Sequence, residues 1–231
     1  MGQGQTGTHA GAAPPKLNLG DRVLLRMSTI RIIDGIWVAS TEEEPYPGLC
    51  RVFDALQLIR ERDPLNYARI VQHLRRIWIR YIPSGRAVFD QTLAACIIDD
   101  RYLLPDVSTR EVIASTIVHE ATHARLERWG FSYVEARRVR LEAICLQREL
   151  SLLARLPGTE ALREEIAHAI VWYAEHPEEL SNASFDAQLH RDIAATLRHL
   201  GLPAFLIALL FNVSAALRWA RRAARTLTRR A

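Results

Sequence analysis

Apolar residues recur along this chain with two periods, and each switch between them marks an element. Residues 22–40 follow the short period: TIRII and IWVAS are β-branched and flank Asp34-Gly35, a two-residue turn signal, so a hairpin is expected. The polar loop EEEPYPG follows, and CRVFDALQLIRER then carries apolar residues at helical spacing. Asp63-Pro64 predicts another helix, with aspartate as cap and proline at the first position, running to Arg75 or Arg76. IWIRYIP, the turn SGR and AVFDQTLAACIID read as extended. After Pro105, Ser108 and Glu111 form a capping box that opens a long helix, and Gly130 ends it. A second capping box, Ser132 with Glu135, predicts a helix lasting until Pro157-Gly158, and two more helices are expected at about 159–176 and 184–200.

The remaining stretch has a different character. From His199 to Leu217 there is no Asp, Glu, Lys or Arg, which is close to the minimum of about 20 apolar residues for a membrane span, although Pro203 and Asn212 weaken it. Trp219 and six arginines (218, 221, 222, 225, 229 and 230) follow without an acid, and removing them takes the net charge from +4 to −2. Three readings stand: a helix lying in an anionic membrane surface, a true span with its arginines on the cytoplasmic side, or a packing helix with a solvated basic end. Groove-reading residues are missing, so no specific nucleic acid is expected as a partner.

Elsewhere the composition is that of a globular chain, about half apolar and a quarter charged. Cys50, Cys96 and Cys145 make no CxxC pair, and each sits in an apolar run. They read as buried free thiols in a reducing cytoplasm. The Gly-, Thr- and Ala-rich start lacks the apolar core of a secretory signal; Gly2 with Thr6 matches a short myristoylation pattern, and a flexible tail is the plainer reading.

The chemistry lies inside the long helix. His119-Glu120-Ala121-Thr122-His123 has the spacing H-E-x-x-H. Residues four apart share a helix face, so two imidazoles there can hold one zinc ion. Glu120 points about 100° round the helix, poorly placed as a ligand but well placed to reach a water beside the ion. Val112, Thr116, His119, His123 and Leu126 form one stripe, which turns the histidines inward.

This stretch resembles the active-site helix of the zincin metallopeptidases. Leu126 and Trp129 stand where a metzincin would have its glycine and third histidine, which excludes that subgroup. The gluzincin subgroup takes a glutamate from the next helix, where Glu135, Glu142 and Glu149 lie seven apart on nearly one stripe. The site centres near Ala121, about 12 Å before the helix ends. An antiparallel helix starting near Ser132 returns to that level near Leu141, so Glu142 is the expected third ligand and Glu149 lies about 10 Å further along. Several gluzincins carry an aspartate four residues after the ligand glutamate; here that position is Leu146, so the group that orients the histidines is unassigned.

The resemblance implies an α+β, zincin-like fold with a small antiparallel sheet packed on a predominantly helical core. A flexible tail over 1–20 would precede a metallopeptidase domain over 21–200, and an apolar helix with an Arg-rich tail would occupy 201–231. It implies a Zn2+-dependent enzyme that hydrolyses peptide or protein substrates, with His119, His123 and Glu142 as ligands and Glu120 as general base. His168, Tyr173 and His176 are candidate donors to the oxyanion, although a helix-surface role is the plainer reading of each. Leu93–Asp99 reads either as the edge strand that binds substrate or as a core strand. The chain would be cytoplasmic, with membrane association through the apolar helix. The alternative function is a non-catalytic, membrane-associated interaction protein that retains a zinc site.

Overall fold

The computed structural model describes residues 23, 26–42, 46–83, 85–104, 106–199 and 201–213. The expected N-terminal tail, with its myristoylation pattern, and the Arg-rich segment lie outside those residues. The chain divides into two compact units, Met1–Ile82 with Arg86–Glu175 and Pro83–Gly85 with His176–Ala231.

In the first unit, strands β1 (Thr29–Ile33) and β2 (Ile36–Ser40) form the expected hairpin. Asp34 and Gly35 both have positive φ, 48° and 85°, which the two-residue type I′ turn demands and which a glycine adopts without strain. Helices α1 (Pro47–Arg62) and α2 (Pro64–His73) then cross over to β3 (Arg76–Arg80). The Asp63 carboxylate caps α2 by accepting the Asn66 N–H. Strands β4 (Ala87–Asp90) and β5 (Ala95–Asp99) complete a five-stranded sheet in the order β1-β2-β3-β5-β4.

This sheet is mixed, where an antiparallel one was expected. β3 lies parallel to both β2 and β5, and only the two outer pairs are antiparallel. The helical crossover makes β2 and β3 parallel, and the β4–β5 hairpin folds back so that β5 inserts beside β3. β5 is therefore interior and wholly buried, and β4 forms the edge that Leu93–Asp99 had been a candidate to provide.

The central strands are apolar on both faces, as strands covered on both sides must be. Alternation splits their side chains into two cores. Ile77, Ile79, Cys96 and Ile98 join the large core beneath the helices, while Trp78, Ala95 and Ile97 join a smaller one with Ile82 and Leu93 on the opposite face. Leu56 of α1 is 1 % exposed in the large core. Leu56→Ala should lower stability by about 2–5 kcal/mol, read as a lower denaturant midpoint at unchanged slope.

Helix α3 (Arg110–Arg128) packs against α1, α2, α4 (Arg138–Leu153) and the β4–β5 end of the sheet. Its cap is Thr109, which accepts the Val112 N–H, and not Ser108, whose carbonyl instead accepts the Arg51 guanidinium. Gly130 ends α3 at φ 83°; its N–H bonds the Glu127 carbonyl and that of Phe131 bonds Leu126, the paired bonds of a Schellman cap.

The second expected capping box does not form. The Val134 N–H turns back to the Ser132 carbonyl, residues 131–134 are non-helical, and Glu135–Arg137 make a short 3-10 turn before α4. Helix α5 (Glu160–Glu175) closes this unit. Cys96 and Cys145 are buried as expected, but Cys50 is exposed, because the α1 face that carries it turns away from the core.

The second unit contains a 3-10 turn, Pro177–Leu180, helix α6 (Asn182–His199) and a helical segment over 204–213. Among the described residues, no helix is long and apolar enough to cross a membrane.

Candidate metal centre

Helix α3 places His119 and His123 one turn apart, with ring centroids 4.8 Å apart and Nε2 atoms 3.0 Å apart. From α4, Glu142 enters between them: Oε2 lies 3.2 Å from His119 Nε2 and Oε1 lies 3.3 Å from His123 Nε2. The structure thus brings together the three residues expected as ligands.

Their spacing fits a divalent ion. Donors on a tetrahedral zinc with bonds of about 2.1 Å are separated by about 3.4 Å; here the two Nε2 atoms are 3.0 Å apart, and each has a different oxygen of the same carboxylate at 3.2 or 3.3 Å. Two imidazoles and a carboxylate also leave a fourth position for a non-protein ligand. Cys145 offers a second donor set with the same histidines, but those atoms are grouped only to within 4.8 Å. Burial, helped by the nearby carboxylates of Glu142, Glu120 and Glu149, pushes the Cys145 thiol far up.

Glu142 retains its charge. Burial raises its carboxyl, but the hydrogen bonds from His119 and His123 outweigh this and hold it well below the usual range. For His119, burial acts against protonation, and the contacts with Glu142 and Glu149, with Glu120 close by, override it and hold the imidazole well above its usual value.

Two residues that the sequence reading did not assign complete the centre. His119 Nδ1 donates to Glu149 Oε1 at 2.7 Å. This fixes the ring so that Nε2 faces Glu142, and it fills the orienting role left open at Leu146. The hydroxyl of Tyr133 donates to Glu142 Oε1 at 2.5 Å, and its ring meets that of His123 edge-on, with centroids 5.1 Å apart. The seven-residue spacing of Glu142 and Glu149 was a signal for the first. Nothing in the local pattern marked Tyr133, because it read as part of a helix. Glu149→Gln should weaken metal affinity about 10- to 100-fold without unfolding the chain, as measured by competition with a chelator.

Glu120 takes a different direction from the histidines. It is 7 % exposed and borders a cavity of about 430 Å³ beside α3, shared with His119 and Glu149. Among the described residues no hydrogen bond or ion pair engages its carboxylate. Burial raises its affinity for a proton, the two histidines draw it back down, and the neighbouring carboxylates add to the rise. A buried carboxylate of raised basicity beside a donor triad can take a proton from a water and return it.

Of the three candidates for the oxyanion donor, Tyr173 lines this cavity, while His168 is exposed and does not. His176 belongs to the other unit. Ala87, the first residue of the edge strand β4, also borders the cavity. Comparison with family models, with curated proteins and with solved structures finds no match for this chain.

Proposed function

We propose that this chain is a zinc-dependent peptidase of the gluzincin kind. The observation that carries the reading is the meeting of His119, His123 and Glu142 within 3.3 Å of one another, beside a cavity bordered by the unengaged carboxylate of Glu120.

His119, His123 and Glu142 would hold the ion, with Glu149 and Tyr133 holding His119 and Glu142 in register. A bound zinc supplies Lewis acidity, bringing the pKa of water towards about 7 and polarising a substrate carbonyl. Glu120 accepts a proton from the attacking water at its carboxylate and returns it to the leaving nitrogen as the peptide bond breaks. Tyr173 borders the same cavity and is the residue assigned to steady the developing oxyanion. The outer edge of β4 offers unpaired backbone groups to an extended peptide, and its position beside the cavity supports a peptide over a compact small molecule.

The test uses the purified full chain on a broad peptide library. Cleavage that a chelator abolishes and added zinc restores is the expected result. A chain that holds one zinc yet cleaves nothing would favour a non-catalytic binding protein, and a natively folded chain with no affinity for zinc would remove the reading altogether.

A further inference from the structure

In the second unit, the helix over 204–213 has two unlike faces. Ile207 is 3 % exposed, and Phe211 packs its ring against His190 of α6 with centroids 5.2 Å apart. At 100° per residue these two lie within about 40° of each other. Phe205, Leu206, Leu209, Leu210 and Val213 fall on an arc of about 140° on the other side. All five are open to solvent, Phe205 by 70 % and Leu209 by 56 %.

A helix with one face committed to protein is not surrounded by lipid, so this one is placed to lie along a surface. The stripe contains no charge, and the sequence that follows supplies Trp219 and six arginines between 218 and 230 with no acid among them. An apolar stripe that continues into tryptophan and a polybasic run matches the chemistry of one kind of partner, a bilayer with anionic headgroups. Exposed apolar side chains suit the acyl boundary, tryptophan suits headgroup depth, and guanidiniums suit phosphates.

We infer that the exposed stripe of the helix over 204–213 is a docking surface for an anionic lipid bilayer, with that helix lying in the plane of the membrane and the basic sequence that follows supplying charge for the headgroups. A second copy of the chain would suit the stripe but would face six like charges in its partner. A nucleic acid would suit the arginines but leave the stripe uncovered.

Flotation of the full chain with lipid vesicles tests this. Binding to vesicles of mixed phosphatidylcholine and phosphatidylglycerol, and not to phosphatidylcholine alone, is expected. Phe205→Glu with Leu209→Glu should weaken it at least about tenfold, and replacing the six arginines by glutamine should do the same. Circular dichroism of each variant checks that helix content is kept, and single Phe205→Ser and Leu209→Ser variants, with smaller losses of the same sign, serve if the double variant misfolds. Three results would overturn the inference: no flotation with anionic vesicles, binding that ignores the stripe substitutions, or a stripe-dependent dimer that leaves vesicles unbound. Tight binding to duplex DNA without vesicle binding would assign the arginines to nucleic acid instead.

Discussion

Glu120→Gln is expected to keep its zinc and to lose peptide hydrolysis by about a hundred- to ten-thousandfold, the contribution of a well-placed general base. The amide is almost isosteric with the carboxylate, so the 7 %-exposed side chain has no reason to repack, and the donor triad is untouched because Glu120 is not among its members. What changes is the ability to take a proton. The variant removes one buried acid from a cluster that includes Glu142 and Glu149, so stability should hold or rise. Turnover of a fluorogenic peptide, set beside metal content by elemental analysis, separates the two functions. Activity within a few-fold of wild type would rule Glu120 out as the base.

Glu142→Ala should strip the centre of its metal. In the wild type one carboxylate reaches both Nε2 atoms at 3.2 and 3.3 Å, and among the described residues no other carboxylate comes as close to both. Losing it leaves two ligands, too few to hold zinc against a chelator, and frees the Tyr133 hydroxyl that bonded it. Zinc content should fall from about one per chain to a small fraction, with activity falling in parallel; His119→Ala should match it. Cys145→Ala is the informative control, since it should keep the metal. Loss of zinc in the cysteine variant together with retention in Glu142→Ala would transfer the third ligand to the thiol.

The parts of this architecture that were legible in the sequence are those governed by neighbours in the chain. The hairpin at Asp34-Gly35, the Asp63 cap and the Gly130 terminus each depend on a few adjacent residues. The histidine pair was legible for the same reason, because four-residue spacing fixes it. Sheet order was not, since the β4–β5 hairpin alone does not say on which side of β3 it docks. The start of α4 was misjudged because Ser132 and Glu135 have the right residue types for a capping box, yet Tyr133 is needed across the gap at Glu142 and the backbone there stays non-helical. Glu142 was reached all the same. Extended residues advance about 3.3 Å each against 1.5 Å in a helix, so the loop over 131–134 covers distance that the missing turns of helix would have supplied. Ligand geometry alone does not reveal the place of Glu149, because a histidine has two nitrogens and the one turned away from the other donors needs its own partner.

That second nitrogen couples two helices mechanically. The His119 ring, rooted in α3, is gripped on opposite edges by carboxylates two turns apart on α4, Glu142 at 3.2 Å and Glu149 at 2.7 Å. If α4 slid along α3 in either direction, one grip would tighten as the other opened, so a single ring acts as a pawl that sets the sliding register of the pair. On the proposed function, metal affinity would therefore be a gauge of interhelical alignment, responding to packing changes far along α3 or α4 that never approach the donors themselves.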